Sequence, residues 1–148
     1  MMLKTVFTII LALLVAGCTT VPYRNDSLEK LQTLPQHYEQ FDAKLAWDVT
    51  TTGGSSVING VIKNIRYFEM NDLEIQVALV ESAGREVQRD TYFIAGLKEN
   101  EAAPFALKLP AAASGSTLRF RYRYMGYEGG GDSGGDVWWR QSFNWKMP

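Results

Sequence analysis

The side chains best suited to recognition lie in the last third of the chain. Arg119, Arg121 and Arg123 alternate with Leu118, Phe120, Tyr122 and Tyr124. On an extended strand, that period of two puts the three guanidinium groups on one face. Such a stripe could clamp a phosphate, a lipid headgroup or an acidic polymer. It could equally be satisfied by acids on neighbouring strands, or by stacking on Trp138. Trp138 and Trp139 are adjacent and must point to opposite faces of a strand. Trp139 shares parity with Phe143 and Trp145 and is expected inside. Trp138 then lies outside with Arg140 and Ser142, with Tyr127 close by, unless the tether, the short helix or another edge covers it. An exposed indole with polar neighbours suits sugar rings or peptides.

Between these strands runs Glu128-Gly129-Gly130-Gly131-Asp132-Ser133-Gly134-Gly135-Asp136. No Gly-Lys-Ser/Thr follows, so it is not a phosphate loop. Glu128, Asp132, Ser133 and Asp136 offer hard oxygen ligands for calcium, but their spacing fits neither an EF-hand nor a nine-residue calcium repeat. A plain hairpin turn is the simpler reading, and no metal site is expected. His37 is the sole histidine and has no partner residue nearby in sequence. Asp42 and Asp48 share one parity and are expected to be solvated; Glu99 and Glu101 fall in a turn. No nucleophile stands beside a base, so no catalytic residue and no cofactor are expected.

The chain has 148 residues, one histidine, one cysteine and a formal net charge of −1. This length suits one domain with a modest core. The charge balance argues against nucleic acid as a partner. One histidine and one cysteine exclude most zinc sites and most catalytic triads. The cysteine ends a short apolar run that begins after Lys4. Residues 6–15 are apolar apart from Thr8, and the run is shorter than the roughly 20 residues needed to span a bilayer. Leu14-Val15-Ala16-Gly17-Cys18 resembles the lipobox of bacterial lipoproteins. The resemblance implies a diacylglycerol thioether on Cys18, cleavage before it, and acylation, for example by palmitate, of the new amino group. Thr19, where an Asp would signal retention, resembles the sorting pattern for the outer membrane, facing the periplasm. Several acyl chains at about 0.8 kcal/mol per buried methylene would make a lasting anchor. The expected organisation is a signal peptide over 1–17, a lipidated tether with a short helix over 18–40, and a folded domain over 41–148.

Asp26-Ser27-Leu28-Glu29 reads as a capping-box-like start, and Leu28, Leu31 and Leu34 recur at helical spacing until Pro35. The spacing predicts a helix over 27–33 docked on the domain. From Phe41 the period falls to two. Phe41, Ala43, Leu45, Trp47 and Val49 alternate with polar residues. Further runs follow at 57–64 (with Gly60 inside), 73–79, 85–94, 105–109, 118–124 and 137–145. Val87, Thr91 and Phe93 share one parity in the fourth. A glycine within a strand predicts a bulge or a close backbone approach. Seven short runs without a crossover helix exclude a parallel sheet. The expected fold is all-β, a single antiparallel two-sheet sandwich of immunoglobulin-like type with about seven strands. A small closed barrel is the alternative.

The segment 41–109 also resembles the FxLYD-type and related late-embryogenesis-like β-sandwich domains of bacterial lipoproteins. Gly60-Val61-Ile62-Lys63-Asn64 has the form Gly-x-aliphatic-x-Asn. It leads to Leu73-Glu74-Ile75-Gln76-Val77-Ala78-Leu79, a turn ending at Gly84, then Leu97, an acidic loop and Phe105-Ala106-Leu107. Glu81 stands near the family's Asp, Lys98-Glu99-Asn100-Glu101 replaces its Gly-Glu, and the Phe-x-Leu-Tyr-Asp signature is absent. The resemblance implies an extracytoplasmic sandwich without catalytic residues. The expected role is a non-catalytic interaction or accessory module of the cell envelope, with an envelope protein as partner. The alternative is a lipoprotein that holds a glycan or an acidic lipid through Trp138 and the arginine stripe.

Overall fold

A computed structural model describes residues 23–128 and 134–148. Among these residues, one helix, α1 (Tyr23–Thr33), precedes eight strands: β1 (Gln36–Glu39), β2 (Ala43–Thr52), β3 (Ser55–Asn64), β4 (Met70–Val80), β5 (Glu86–Leu97), β6 (Ala102–Pro110), β7 (Thr117–Glu128) and β8 (Gly135–Lys146). They form two four-stranded antiparallel sheets, ordered β1-β2-β3-β6 and β5-β4-β7-β8. The chain crosses between sheets after β3, β5 and β6, while β4–β5 and β7–β8 are hairpins. Setting β1 aside, three strands face four in the Greek-key order of an immunoglobulin-like sandwich. Among the described residues both sheets keep free edges, so the barrel alternative falls.

Two expectations at the N-terminal end need correction. The helix begins a turn earlier than the capping box suggested, because Asp26 lies inside its first turn and pairs with Lys30 at 2.7 Å. Asp26 is therefore a helical residue rather than the cap, and Ser27 beside it is buried. Leu28, Leu31 and Leu34 are half-buried, and α1 rests on β2, β3 and β6, whose Ala46 and Val61 are small and fully buried. The second correction is β1, an eighth strand paired with β2. It is only four residues long and lacks apolar alternation, so periodicity is blind to it. His37 sits on it, exposed.

The first long strand also starts later than its pattern suggested. Phe41 and Asp42 lie in a bend before β2, and the inward alternation begins at Ala43. The bend swings Phe41 out to 49% exposure and buries Asp42 completely, against the expectation of a solvated carboxylate. Asp42 Oδ1 accepts the Tyr122 hydroxyl at 2.6 Å and Oδ2 accepts that of Tyr124 at 3.0 Å. One carboxylate thus ties the first sheet to β7 of the second. Burial, followed by the hydrogen bond to Asp42, raises the Tyr122 hydroxyl pKa far above its ordinary value. Burial and then the charge of Asp42 do the same for Tyr124, with Arg66 opposing.

Between the sheets the core is aromatic and aliphatic. Trp47 lies 4.7 Å from Phe120, which stacks on Phe143 at 4.9 Å. Gly60 has the close approach expected of it: a Cβ there would sit 2.2 Å from Phe105 Cζ, because Phe105 lies opposite and folds across the glycine. The Asn of the Gly-x-aliphatic-x-Asn run has a structural role. Buried Asn64 donates to the carbonyls of Phe68 and Leu97, both at 2.8 Å, and accepts the Arg66 N–H at 2.7 Å. All three side-chain bonds pin the β3–β4 connection against the end of β5.

Candidate functional site

The exposed recognition chemistry collects on the outer face of the β5-β4-β7-β8 sheet. Register fixes its layout. One row across the four strands reads Phe93, Glu74, Arg123, Arg140 and the next reads Thr91, Gln76, Arg121, Ser142. The arginine stripe does lie on one face, and its cations are satisfied there by neighbours. Arg123 Nη2 meets Glu74 Oε2 at 2.6 Å. Arg121 Nη1 meets Glu86 Oε1 at 2.7 Å and donates to Gln76 Oε1 at 3.1 Å. Arg119 Nε donates to Asn144 Oδ1 at 3.2 Å. The hydrogen bond from Arg121 holds the Glu86 carboxyl below its ordinary pKa, with burial opposing.

Trp138 occupies the outer face with 47% of its surface exposed, and the Arg123 guanidinium lies 5.3 Å from its ring centroid. Neither the helix nor any other described element covers it. Trp139 turns inward and packs half-buried against the core edge with Phe143 and Trp145, because β8 is the outermost strand. Phe93 belongs to the site: the parity it shares with Val87 and Thr91 is the outward one, and Val87 is 48% exposed as well. Phe93 stands on β5 with 70% of its surface exposed, while Tyr92 and Ile94 turn inward. Both parities of β5 carry apolar residues, so alternation alone could not place it.

Phe93 and Trp138 are the two walls of an open depression of about 420 Å³, floored by Glu74 and Arg123. A second of about 380 Å³ adjoins it, sharing Glu74 and Arg123 and lined further by Arg121, Arg140 and Ser142. Aromatic walls over a neutralised ion pair suit a flat ring or an extended peptide. They offer no activated nucleophile. Tyr127, half-exposed at the end of β7, shares the stripe's face but lines neither depression.

A second cluster closes one end of the sandwich. The Arg66 guanidinium lies 4.8–5.5 Å from the ring centroids of Phe41, Tyr67, Phe68 and Trp139. Phe68 in turn covers Gly126, where a Cβ would be 2.3 Å from its ring. This cluster anchors the β3–β4 connection. Of the proposed calcium ligands, Asp136 is exposed on β8, whereas Asp132, Ser133 and the Glu128 side chain lie outside the described residues. So does Cys18. Among the described residues, no three His, Cys, Asp or Glu side chains are grouped to hold a metal ion, and no helix is long and apolar enough to cross a membrane.

No family model and no curated protein matches the chain. Among solved structures it is similar to the GAE domain of GGA2p from Saccharomyces cerevisiae, with 12% identity, a TM-score of 0.49, and coverage of 76% of this chain and 96% of that one. It is also similar to the putative ApaA protein from Bordetella pertussis, with 12% identity, a TM-score of 0.48, and coverage of 78% and 98%.

Proposed function

We propose that this chain is a lipid-anchored lipoprotein of the bacterial outer membrane whose immunoglobulin-like sandwich is a non-catalytic interaction module facing the periplasm. The anchor reading rests on Cys18 at the end of a lipobox-like segment, in a chain with one cysteine. The interaction reading rests on one observation: Phe93 and Trp138 stand exposed on either side of the Glu74–Arg123 pair. Large apolar side chains grouped in this way on an outer sheet face mark a surface that meets another molecule. A partner protein fits this face better than an acidic lipid. Arg121 and Arg123 already hold carboxylates, so a lipid phosphate would have to displace them.

Two experiments test this. Intact mass of the membrane-extracted protein should give a chain starting at Cys18 with acyl groups added, and Cys18→Ser should abolish both processing and membrane retention. An unmodified soluble wild-type chain would sink the anchor. For the face, Trp138→Ala and Phe93→Ala should remove a partner while leaving the fold intact by circular dichroism. Strong unfolding by either would make these residues structural.

A further inference from the structure

The occupant of this face can be specified further, on the footing that the face is the interaction surface. The four sheet edges are unequal. β1 has four residues. β6 carries Pro104 and Pro110, and its Lys108 N–H is taken by Asp90 Oδ2 of β5 at 2.8 Å. β5 runs against β6 along that seam. β8 differs: it is twelve residues long, contains no proline, and pairs only with β7 among the described residues. On its inner side, β1 covers just the C-terminal half, where Tyr38 stacks on Phe143 at 3.7 Å and Trp145 Nε1 donates to Gln36 Oε1 at 3.0 Å. Natural sheets blunt long open edges, and those left open are the ones that accept an added strand.

The charge pattern beside that edge is incomplete. Glu74 and Arg123 neutralise each other, but Arg140 lies directly opposite Arg123 on the neighbouring strand. Like charges directly opposed across strands repel. Arg140 is exposed and has no ion pair or hydrogen bond among the described residues. The sequence of signs across the sheet, acid then base then base, lacks an acid at the next position outward, which is the open edge of β8. One residue pair along, Trp138 offers an apolar surface on the same face.

We propose that the edge of β8 receives an extended peptide of a partner protein as a fifth strand, with an Asp or Glu opposite Arg140 and an apolar residue two positions away against Trp138. Main-chain hydrogen bonds to β8 would supply the affinity, and the alternating side chains the selectivity.

Selection of a random heptapeptide library on the full-length chain tests this. The enriched peptides should carry Asp or Glu two residues from an apolar side chain. Arg140→Glu should weaken an acid-centred peptide by about tenfold, through a lost ion pair and a new repulsion, and turn the selection towards Lys or Arg. It should melt with the wild type. N-methylation of alternate amides in the best peptide should abolish binding for one set and spare the other, since only one edge of a strand meets β8. The proposal is overturned if no peptide is enriched, if acid preference survives Arg140→Glu, or if both methylated forms bind alike. If binding then still needs Trp138, the face remains the interaction surface and only the strand addition is wrong. If Trp138→Ala is also without effect, both readings fail.

Discussion

Replacing Tyr124 with Phe should leave a protein whose stability deficit shrinks as pH rises. Tyr124 and Tyr122 each donate a hydroxyl to buried Asp42, and burial raises the pKa of both. In the folded state they therefore keep their protons when the unfolded chain, titrating near about pH 10, has lost them. Stability is complete below that value and falls as pH rises beyond it, by ~1.4 kcal/mol per pH unit for each tyrosine and ~2.7 kcal/mol for the pair. At pH 7, Tyr124→Phe removes a hydrogen bond to a buried carboxylate and should cost ~2 kcal/mol. Above about pH 10 the variant loses stability on one tyrosine fewer, so the gap closes by ~1.4 kcal/mol per unit and the curves meet near about pH 11.5. Urea melts followed by far-ultraviolet circular dichroism between pH 8 and 12 give both curves. Absorbance at 295 nm reports whether the tyrosines ionise before or with unfolding. A gap that stays constant or widens through pH 12 would refute the assignment of these hydroxyls as protonated donors to Asp42.

Three further expectations follow from single contacts. Gly60→Ala drives a methyl into the Phe105 ring, at 2.2 to 2.8 Å, and Phe105 is buried; it should cost ~1–3 kcal/mol, and less when combined with Phe105→Leu, as a double-mutant cycle will read. Asn64→Ala strips the donor from two carbonyls and the acceptor from one N–H; it should cost ~3 kcal/mol, seen as a lower urea midpoint at unchanged slope. Arg121→Gln breaks a partly exposed ion pair with Glu86; thermal melts should place its cost below ~1 kcal/mol.

Periodicity made the sandwich legible because seven strands alternate over at least five residues and no run is long enough for a crossover helix. It failed where a segment is short or both its faces are mixed. β1, four residues with a histidine and a glutamate, leaves no pattern to count. Phe93 lies on a strand where Tyr92 and Ile94 compete with it for the inner face. Asp42 reads as a surface acid because its partners, Tyr122 and Tyr124, are some 80 residues away and enter only through topology. Parity correctly separated Trp138 from Trp139, since two adjacent residues on a strand leave no third choice. It also put the three arginines on one face. Which acids meet them depends on strand order, and Glu74 and Glu86 become neighbours of β7 only through the β4–β7 pairing and the β4–β5 hairpin.

Site-specific photocrosslinking in intact cells tests the interaction module most directly. A benzophenone amino acid replaces Phe93, which projects from edge strand β5 onto the outer face, and separately replaces Gln32 on α1, exposed on the other sheet's side. A discrete adduct is expected from position 93 that disappears when Trp138→Ala is added, and none from position 32. Equal adducts from both positions, or an adduct from position 93 indifferent to Trp138→Ala, would contradict the interaction reading.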